Sequence, residues 1–409
     1  MVDITSLTKN VEISNVTISE NLDELQYRWK CKKGKYVICI KPKKIVNVNI
    51  NGTDFVYRHK ITYCSIHIVE GDINISIKRS FNIKIGEGDI SNVLEYIKVF
   101  DYGNPVPLDN YKYQVLYSFD SNYFHGAFTA IYSLLYNFDP NKLSDLNVNL
   151  CVPEEDFALV SKELGRFMVK NRIKTNYTLI SSTGNIVDRA FVDTECFSGG
   201  NHLLKLSNFC RLVAGDFIDC DKLLYVDSDT IVQTDMSKCL DKITDTNYVV
   251  LGTKAPLNYT NIININNVSH ILDYLGKDFD LKKNVVYTGT MIFNTRRFRE
   301  FYPKMIDLVN RHNKVPNGMY KLFTMSIINL SINDDIGFSD TYFNNIVDLG
   351  FKKDLDKLND GADVLDWSGM FKPWFDNGLY KDYWIKYNLL YDRYSGDIMY
   401  IKDTKEKFS

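Results

Sequence analysis

The stretch Lys222-Leu-Leu-Tyr-Val226-Asp227-Ser-Asp229-Thr-Ile-Val232 decides how this chain is read. Four apolar residues in a row, Leu223 to Val226, fit a strand covered on both faces, as parallel sheets require. Asp227 and Asp229 follow at once. Two residues apart in extended backbone, their side chains share a face. Charge at the mouth of an apolar segment is costly unless it is paired. A divalent cation, which takes hard oxygen ligands, relieves that cost. A D-x-D triplet alone is common by chance. The apolar strand before it and Gln233-Thr-Asp235 beyond it sharpen the signal.

Around this stretch, strands and helices alternate. Gln114–Phe119 reads as an apolar strand, and Phe124–Phe138 as a helix with Phe128, Ile131, Leu134 and Leu135 on one face. Asn147–Val152 is a second strand. Glu154–Lys170 is a second helix, with acidic residues in the first turn, where the helix dipole favours them. Thr178–Ile180, Lys222–Val226 and Val285–Asn294 read as further strands, Lys205–Ile218 and Arg296–Arg311 as helices. This alternation predicts an α/β fold: a mostly parallel, Rossmann-like sheet with helices on both faces. The tail Ser331–Ser409 is irregular and aromatic and is expected to wrap back onto the sheet. Ahead of all this, Lys35–Lys84 holds short β-rich runs, with Asn51-Gly52 as a hairpin turn and Gly71-Asp72 between another pair. Asp101-Tyr-Gly-Asn-Pro-Val-Pro107 reads as a linker. The expected division is residues 1–108, a small antiparallel β accessory domain, and residues 109–409, the α/β domain with its C-terminal wrap.

Composition narrows the function. Among 409 residues, Lys+Arg number 49 and Asp+Glu 51, a formal charge of −2. That balance argues against a dedicated nucleic-acid binder, which carries a basic excess. No run approaches the ~18 apolar residues of a membrane span. Met1–Asn10 has no basic and then apolar leader pattern. The 8 cysteines (Cys31, Cys39, Cys64, Cys151, Cys196, Cys210, Cys220, Cys239) form no C-x-x-C pair. They read as structural thiols of a reducing, cytoplasmic compartment, in preference to a zinc site or disulfide framework. Abundant Asn, Lys, Ile and Tyr suit an AT-rich coding genome, as of a large DNA virus or an AT-rich microbe.

In open α/β sheets ligands sit beyond the carboxyl ends of the strands. Besides the D-x-D turn, one other strand end is chemically loaded: Ser118-Phe-Asp120-Ser-Asn122-Tyr123. It lacks the G-x-G-x-x-G dinucleotide fingerprint. It offers a carboxylate, an amide and an aromatic ring, which suit a base edge, a ribose and a stacking face. An Asx-type turn followed by a core tyrosine is the alternative. Two enzyme classes put D-x-D after a strand. Phosphatases of the haloacid-dehalogenase type carry it after the first strand, its first Asp a nucleophile. Nucleotide-sugar glycosyltransferases use the pair to hold a metal against a diphosphate. Several strand–helix elements precede the motif here, which favours the second class.

The chain at this point resembles the family-8 glycosyltransferases, the glycogenin and bacterial galactosyltransferase group of GT-A type. The likeness covers most of Tyr113 to Trp374 and leaves out the N-terminal β segment. Ser118-Phe-Asp120-Ser-Asn122-Tyr123 is similar to the family's uridine-binding strand end. Asn208-Phe-Cys-Arg211-Leu212, running into Asp227-Ser228-Asp229, is similar to its arginine-bearing helix and D-x-D strand. Tyr287-Thr-Gly289-Thr-Met-Ile-Phe-Asn294 resembles its N-[AS]-G strand. Trp367-Ser-Gly369-Met-Phe-Lys372-Pro373-Trp374 resembles its H-[FY]-x-G-x-x-K-P-W signature.

This resemblance implies a UDP-sugar donor (UDP-glucose or UDP-galactose), an unknown acceptor, Mn²⁺ or Mg²⁺, and transfer with retention. It implies metal ligands Asp227, Asp229 and Asp366, the last standing where the family has His. Ser118, Asp120, Asn122, Tyr123, Arg211, Asp227, Ser228, Gly289, Gly369 and Lys372 are implied for the nucleotide sugar. Arg211, Met325 and Lys372 are implied around the transfer itself. Departures accompany the likeness. Tyr287 replaces an Asn, and Thr324-Met325-Ser326-Ile-Ile-Asn329 replaces the family's D-Q-D-x-L-N. They leave a non-catalytic or weakly hydrolysing sugar-nucleotide binder as the second reading. The N-terminal β segment suits acceptor recognition, a homodimer contact or a partner protein.

Overall fold

The computed structural model describes residues 3–6, 11–18, 24–31, 35–42, 46–57, 63–79, 94–101, 111–182, 206–244, 247–338, 346–348, 361–368, 372–375 and 377–395. Its frame is an 11-stranded, mostly parallel sheet. At its centre Tyr113–Ser118 lies between Leu146–Val152 and Leu223–Val226, parallel to both. Asn176–Ser181 adds to the outer side of Leu146–Val152, again parallel. These strands are almost wholly buried, because helices cover both faces, and they read in sequence as apolar runs for that reason. Asn284–Phe293 then runs antiparallel to Leu223–Val226, with Val226 opposite Thr290.

On one face Phe124–Asn137 and Phe157–Lys170 close the core, with Tyr132 stacked on Phe167 at 3.8 Å. The C-terminal helix Lys381–Ser395 packs over both; the tail, expected to be irregular and to lie on the sheet, returns here as a helix on helices. There the Asn137 amide donates to the Tyr387 hydroxyl at 2.9 Å. The opposite face is closed by Phe298, Tyr302, Met305, Leu308 and Ile327.

Two expected helices are broken. Lys205–Ile218 is not one helix: Leu206–Phe209, Cys210–Leu212 and Ala214–Asp216 are separate short turns. Gly215 leaves no room there for a Cβ, which would stand 3.0 Å from the Thr295 carbonyl. Arg296–Arg311 divides into Thr295–Glu300 and Tyr302–Lys314, with Pro303 in the first turn of the second, where it is tolerated.

The described N-terminal strands distribute between two sheets, where the sequence predicts a single small antiparallel β domain. Lys35–Pro42, Tyr63–Glu70 and Leu94–Asp101 extend the central sheet, Tyr63–Glu70 pairing parallel with Asn176–Ser181. Val11–Ile18, Glu24–Cys31, Val46–Ile50, Thr53–Tyr57 and Ile73–Arg79 form a separate 5-stranded antiparallel sheet. Asn51 and Gly52 turn the hairpin between Ile50 and Thr53 with φ of 48° and 94°, the positive values such a turn requires. Gly71-Asp72 marks the passage from one sheet to the other. Among the described residues no helix is long and apolar enough to cross a membrane.

Candidate active site

The D-x-D turn leaves the central sheet where Leu223–Val226 ends. The ladder with the antiparallel neighbour continues one step past the strand: the Asp227 N–H donates to the Gly289 carbonyl at 2.7 Å. The chain then reverses, the Thr230 hydroxyl donating to the Asp227 carbonyl at 2.8 Å. Thr230–Val232 pairs antiparallel with Val364–Asp366, Thr230 opposite Asp366. The Trp367 N–H closes the junction on the Asp229 carbonyl at 3.1 Å. This small ladder brings the carboxylates of Asp227, Asp229 and Asp366 together, one oxygen from each lying within 4.8 Å of the others.

Two cations pair with two of these acids, Asp227 and Asp229. Arg211 is buried, and its guanidinium donates to Asp227 Oδ1 at 2.7 Å, to Asn208 Oδ1 at 2.6 Å and to the Thr288 carbonyl at 2.9 Å. It also lies 4.4 Å from the centre of the Tyr225 ring. The Tyr225 hydroxyl donates to the same Asp227 oxygen at 2.6 Å. Burial pushes the Asp227 carboxyl above the ordinary range; Arg211 pulls it down, Asp229 pushes it further up, and Tyr225 and Lys372 pull it down. The Lys372 ammonium donates to Asp229 Oδ2 and to the Trp367 carbonyl. Burial opposes its charge, but Asp229, Tyr123 and Asp366 outweigh burial and hold its pKa above the ordinary lysine value.

The second loaded strand end lies beside the first. Asp120 caps the turn, its Oδ1 accepting from the Asn122 backbone N–H and side-chain amide, both at 2.9 Å. This is the Asx geometry that the sequence also allowed. The Ser118 hydroxyl is buried and donates to the Ser207 carbonyl, while the Ser207 hydroxyl reaches Asp120 Oδ2 at 3.4 Å. Tyr123 is half-buried and meets the Trp374 ring edge-on at 6.0 Å. Burial pushes its hydroxyl up to about 12; Lys372 opposes that, while Asp229, Asp120 and Asp227 add to it, so this tyrosine shares the electrostatics of the acid cluster.

The structure therefore gathers Asp227, Ser228, Asp229, Asp366, Arg211, Lys372 and Gly289, with Tyr123 adjoining. Met325 lies on the helix Phe323–Ile332, half-buried against the apolar core that Tyr287 also touches. Gly369 lies outside the described residues. Trp367 is core: it is fully buried, and its indole N–H donates to the Leu379 carbonyl at 2.8 Å. Sequence reasoning missed Tyr225, Asn208 and Gly126. Tyr225 was findable, since it stands two residues before Asp227 and so shares its face of the strand. Asn208 and Gly126 act only through contacts made in the fold. A Cβ on Gly126 would stand 2.7 Å from the Trp374 ring and 2.9 Å from the Ser228 carbonyl.

The chain belongs to glycosyl transferase family 8, whose sequence profile matches residues 114–378. Its fold is of the GT-A glycosyltransferase type and is similar to that of WbbM, a bifunctional glycosyltransferase, with a TM-score of 0.53 at 16% identity. That match covers 76% of this chain and 57% of WbbM, so this chain spans little more than half of that protein. An active-site mutant of LgtC matches with a TM-score of 0.48 at 15% identity, over 68% of this chain and 94% of that one. GlyE of Streptococcus pneumoniae matches with a TM-score of 0.42 at 17% identity, over 69% of this chain and 64% of that one. No curated protein sequence matches this chain.

Proposed function

We propose that this chain is a metal-dependent hexosyltransferase that moves glucose or galactose from a UDP-sugar to an acceptor with retention of configuration. One observation carries the reading: three carboxylate oxygens from Asp227, Asp229 and Asp366 converge within 4.8 Å beyond the carboxyl end of a buried strand. An all-oxygen donor set suits Mg²⁺ or Mn²⁺, and these three residues would hold the ion. When bound, such an ion supplies Lewis-acid neutralisation of a departing diphosphate.

The chain's own residues do the rest. Arg211 fixes Asp227, since its fork is already shared among Asn208, Thr288 and Asp227. It is thus a positioning residue before it is a phosphate clamp. Lys372 supplies a compact point charge for phosphate oxygens. The Asp120–Tyr123 turn takes the nucleoside, Asp120 holding its shape. Gly289 lets its strand approach Asp366 closely, and Ser228 places the backbone of the turn between Asp227 and Asp229. The N-terminal β-rich segment is left for the acceptor, a second copy of the chain or a partner protein.

A specific observation favours a second reading, a sugar-nucleotide binder that is non-catalytic or only weakly hydrolyses its ligand. The position the family gives to an amide is the thioether of Met325, which donates no hydrogen bond. Calorimetry of UDP with and without Mn²⁺ or Mg²⁺, followed by UDP-glucose and UDP-galactose consumption, separates the cases. Metal-enhanced UDP binding with sugar turnover supports transfer. The same binding without turnover supports the binder. UDP binding indifferent to metal overturns both.

A further inference from the structure

We propose that Lys372 is a tethered rival of the divalent ion: its ammonium occupies Asp229 until a diphosphate draws it away. The proposal rests on the nucleotide-sugar reading above. Two cations serve three acids in this cluster, and they are held differently. Arg211 is fixed by four acceptors, the Asn208 carbonyl and Oδ1, the Thr288 carbonyl and Asp227 Oδ1, and cannot leave Asp227 without disturbing the others. Lys372 is held at its head by two, Asp229 Oδ2 and the Trp367 carbonyl.

The Lys372 backbone, by contrast, is pinned. Its carbonyl accepts the Phe375 N–H at 3.1 Å, and a Cβ on Gly378 would lie 2.2 Å from the same oxygen. So the flexible four-carbon stem is the part that can move. A divalent ion entering among Asp227, Asp229 and Asp366 meets an ammonium already bonded to one of its three ligands. It must displace that charge or sit beside it at a few ångströms, where like charges repel strongly. A diphosphate offers the ammonium another anionic partner and frees Asp229. Metal and diphosphate then bind cooperatively, and the coupling is reciprocal.

The test titrates Mn²⁺ alone into the full chain, wild type and Lys372→Met, by electron paramagnetic resonance or calorimetry, and repeats each titration with UDP. The expected result has opposite signs for the two ligands. Lys372→Met binds Mn²⁺ alone at least about tenfold more tightly than wild type, binds UDP alone more weakly, and shows less coupling between them. Lys372→Gln keeps a donor for Trp367 O without the charge and shifts both affinities the same way, which covers a poorly folded Met variant. Mn²⁺ affinity unchanged or lowered in both variants, with UDP still tightening it, overturns the lysine's role and leaves the functional reading standing. No Mn²⁺ binding in any form, with or without UDP, overturns both.

Discussion

Gly289 and Asp366 meet with no room between them: a Cβ on Gly289 would stand 2.6 Å from Asp366 Oδ2 and 2.7 Å from Cε1 of Tyr287. Contacts that short do not occur between real side chains, so any larger residue at 289 makes the Asp366 carboxylate and the Tyr287 ring shift. The glycine read from sequence as a nucleotide contact therefore shapes the cluster of three acids.

Gly289→Ala is the direct consequence. Overpacking of this kind costs about 1–3 kcal/mol of stability. On the proposed reading the displaced atom is a ligand oxygen, so the larger effect falls on the ion. Mn²⁺ affinity measured in the presence of UDP should drop at least about tenfold, roughly 1.4 kcal/mol, while thermal unfolding shows a folded protein. An unchanged affinity would mean that Asp366 does not reach the ion.

How much of this was legible in the sequence depends on whether the signal was local. The strand before Asp227 and its two acids were legible because burial on both faces leaves an unbroken apolar run. The hairpin at Asn51-Gly52 was legible because positive φ at two successive residues restricts composition. Asp366 reached the site only through the family motif. Val364–Asp366 is three residues long, and its pairing with Thr230–Val232 is made across distant chain. The broken helix at 205–218 was missed because its apolar period survives the breaks, while the close approach at Gly215 exists only in the fold. The parallel pairing of Tyr63–Glu70 with Asn176–Ser181 leaves no mark on either strand beyond apolar character.

Asp366→His tests the metal's chemistry. Three carboxylates make a hard donor set, so wild type should favour Mg²⁺ over softer ions relative to a site with one imidazole. The substitution should move the ratio of Mn²⁺ to Mg²⁺ affinities toward Mn²⁺ by about tenfold, read by calorimetry with UDP present. Asp366→Asn, which keeps shape and loses charge, should weaken both ions together. A ratio that stays fixed in the His variant would show that residue 366 sits outside the coordination sphere.

Acid lability should trace in part to His312. Its Nδ1 accepts backbone N–H groups from Met319 at 3.0 Å and Tyr320 at 3.3 Å, and its ring stacks on Tyr320 at 3.8 Å. Both bonds need the neutral ring, and burial pushes the pKa down from 6.5 to about 4. Above pH 6.5 the ring is neutral folded and unfolded, and its contribution is fully present. As pH falls from 6.5 toward 4 the unfolded chain takes the proton first, and that stability is lost. Asp156 opposes this over part of the window, because burial pushes its carboxyl up to about 6 and the folded chain takes that proton first. The difference between wild type and His312→Gln isolates the histidine's share. Melting temperatures from pH 7.5 to 4.5 should fall less steeply in the variant, and parallel curves would remove His312 from the account.

Asn329 stands where the family motif ends, and its work here is to hold backbone. Fully buried, its Oδ1 accepts the Val286 N–H at 2.8 Å, and its amide donates to the Val286 carbonyl at 3.1 Å and the Met325 carbonyl at 2.9 Å. Val286 needs this clasp because the ladder between Val250–Asn258 and Asn284–Phe293 loses regular register on either side of it. Asn329→Ala strips partners from both polar groups of one buried peptide position. A single buried group left unsatisfied costs about 1–3 kcal/mol, so the variant should lose about 2–4 kcal/mol in urea unfolding with an unchanged slope. The same strand carries Thr288, whose carbonyl anchors Arg211, and Gly289, which seats Asp366. Loosening it should therefore also lower UDP-dependent Mn²⁺ affinity under conditions where the variant remains folded. A stability loss with the ion's affinity intact would confine Asn329 to the scaffold.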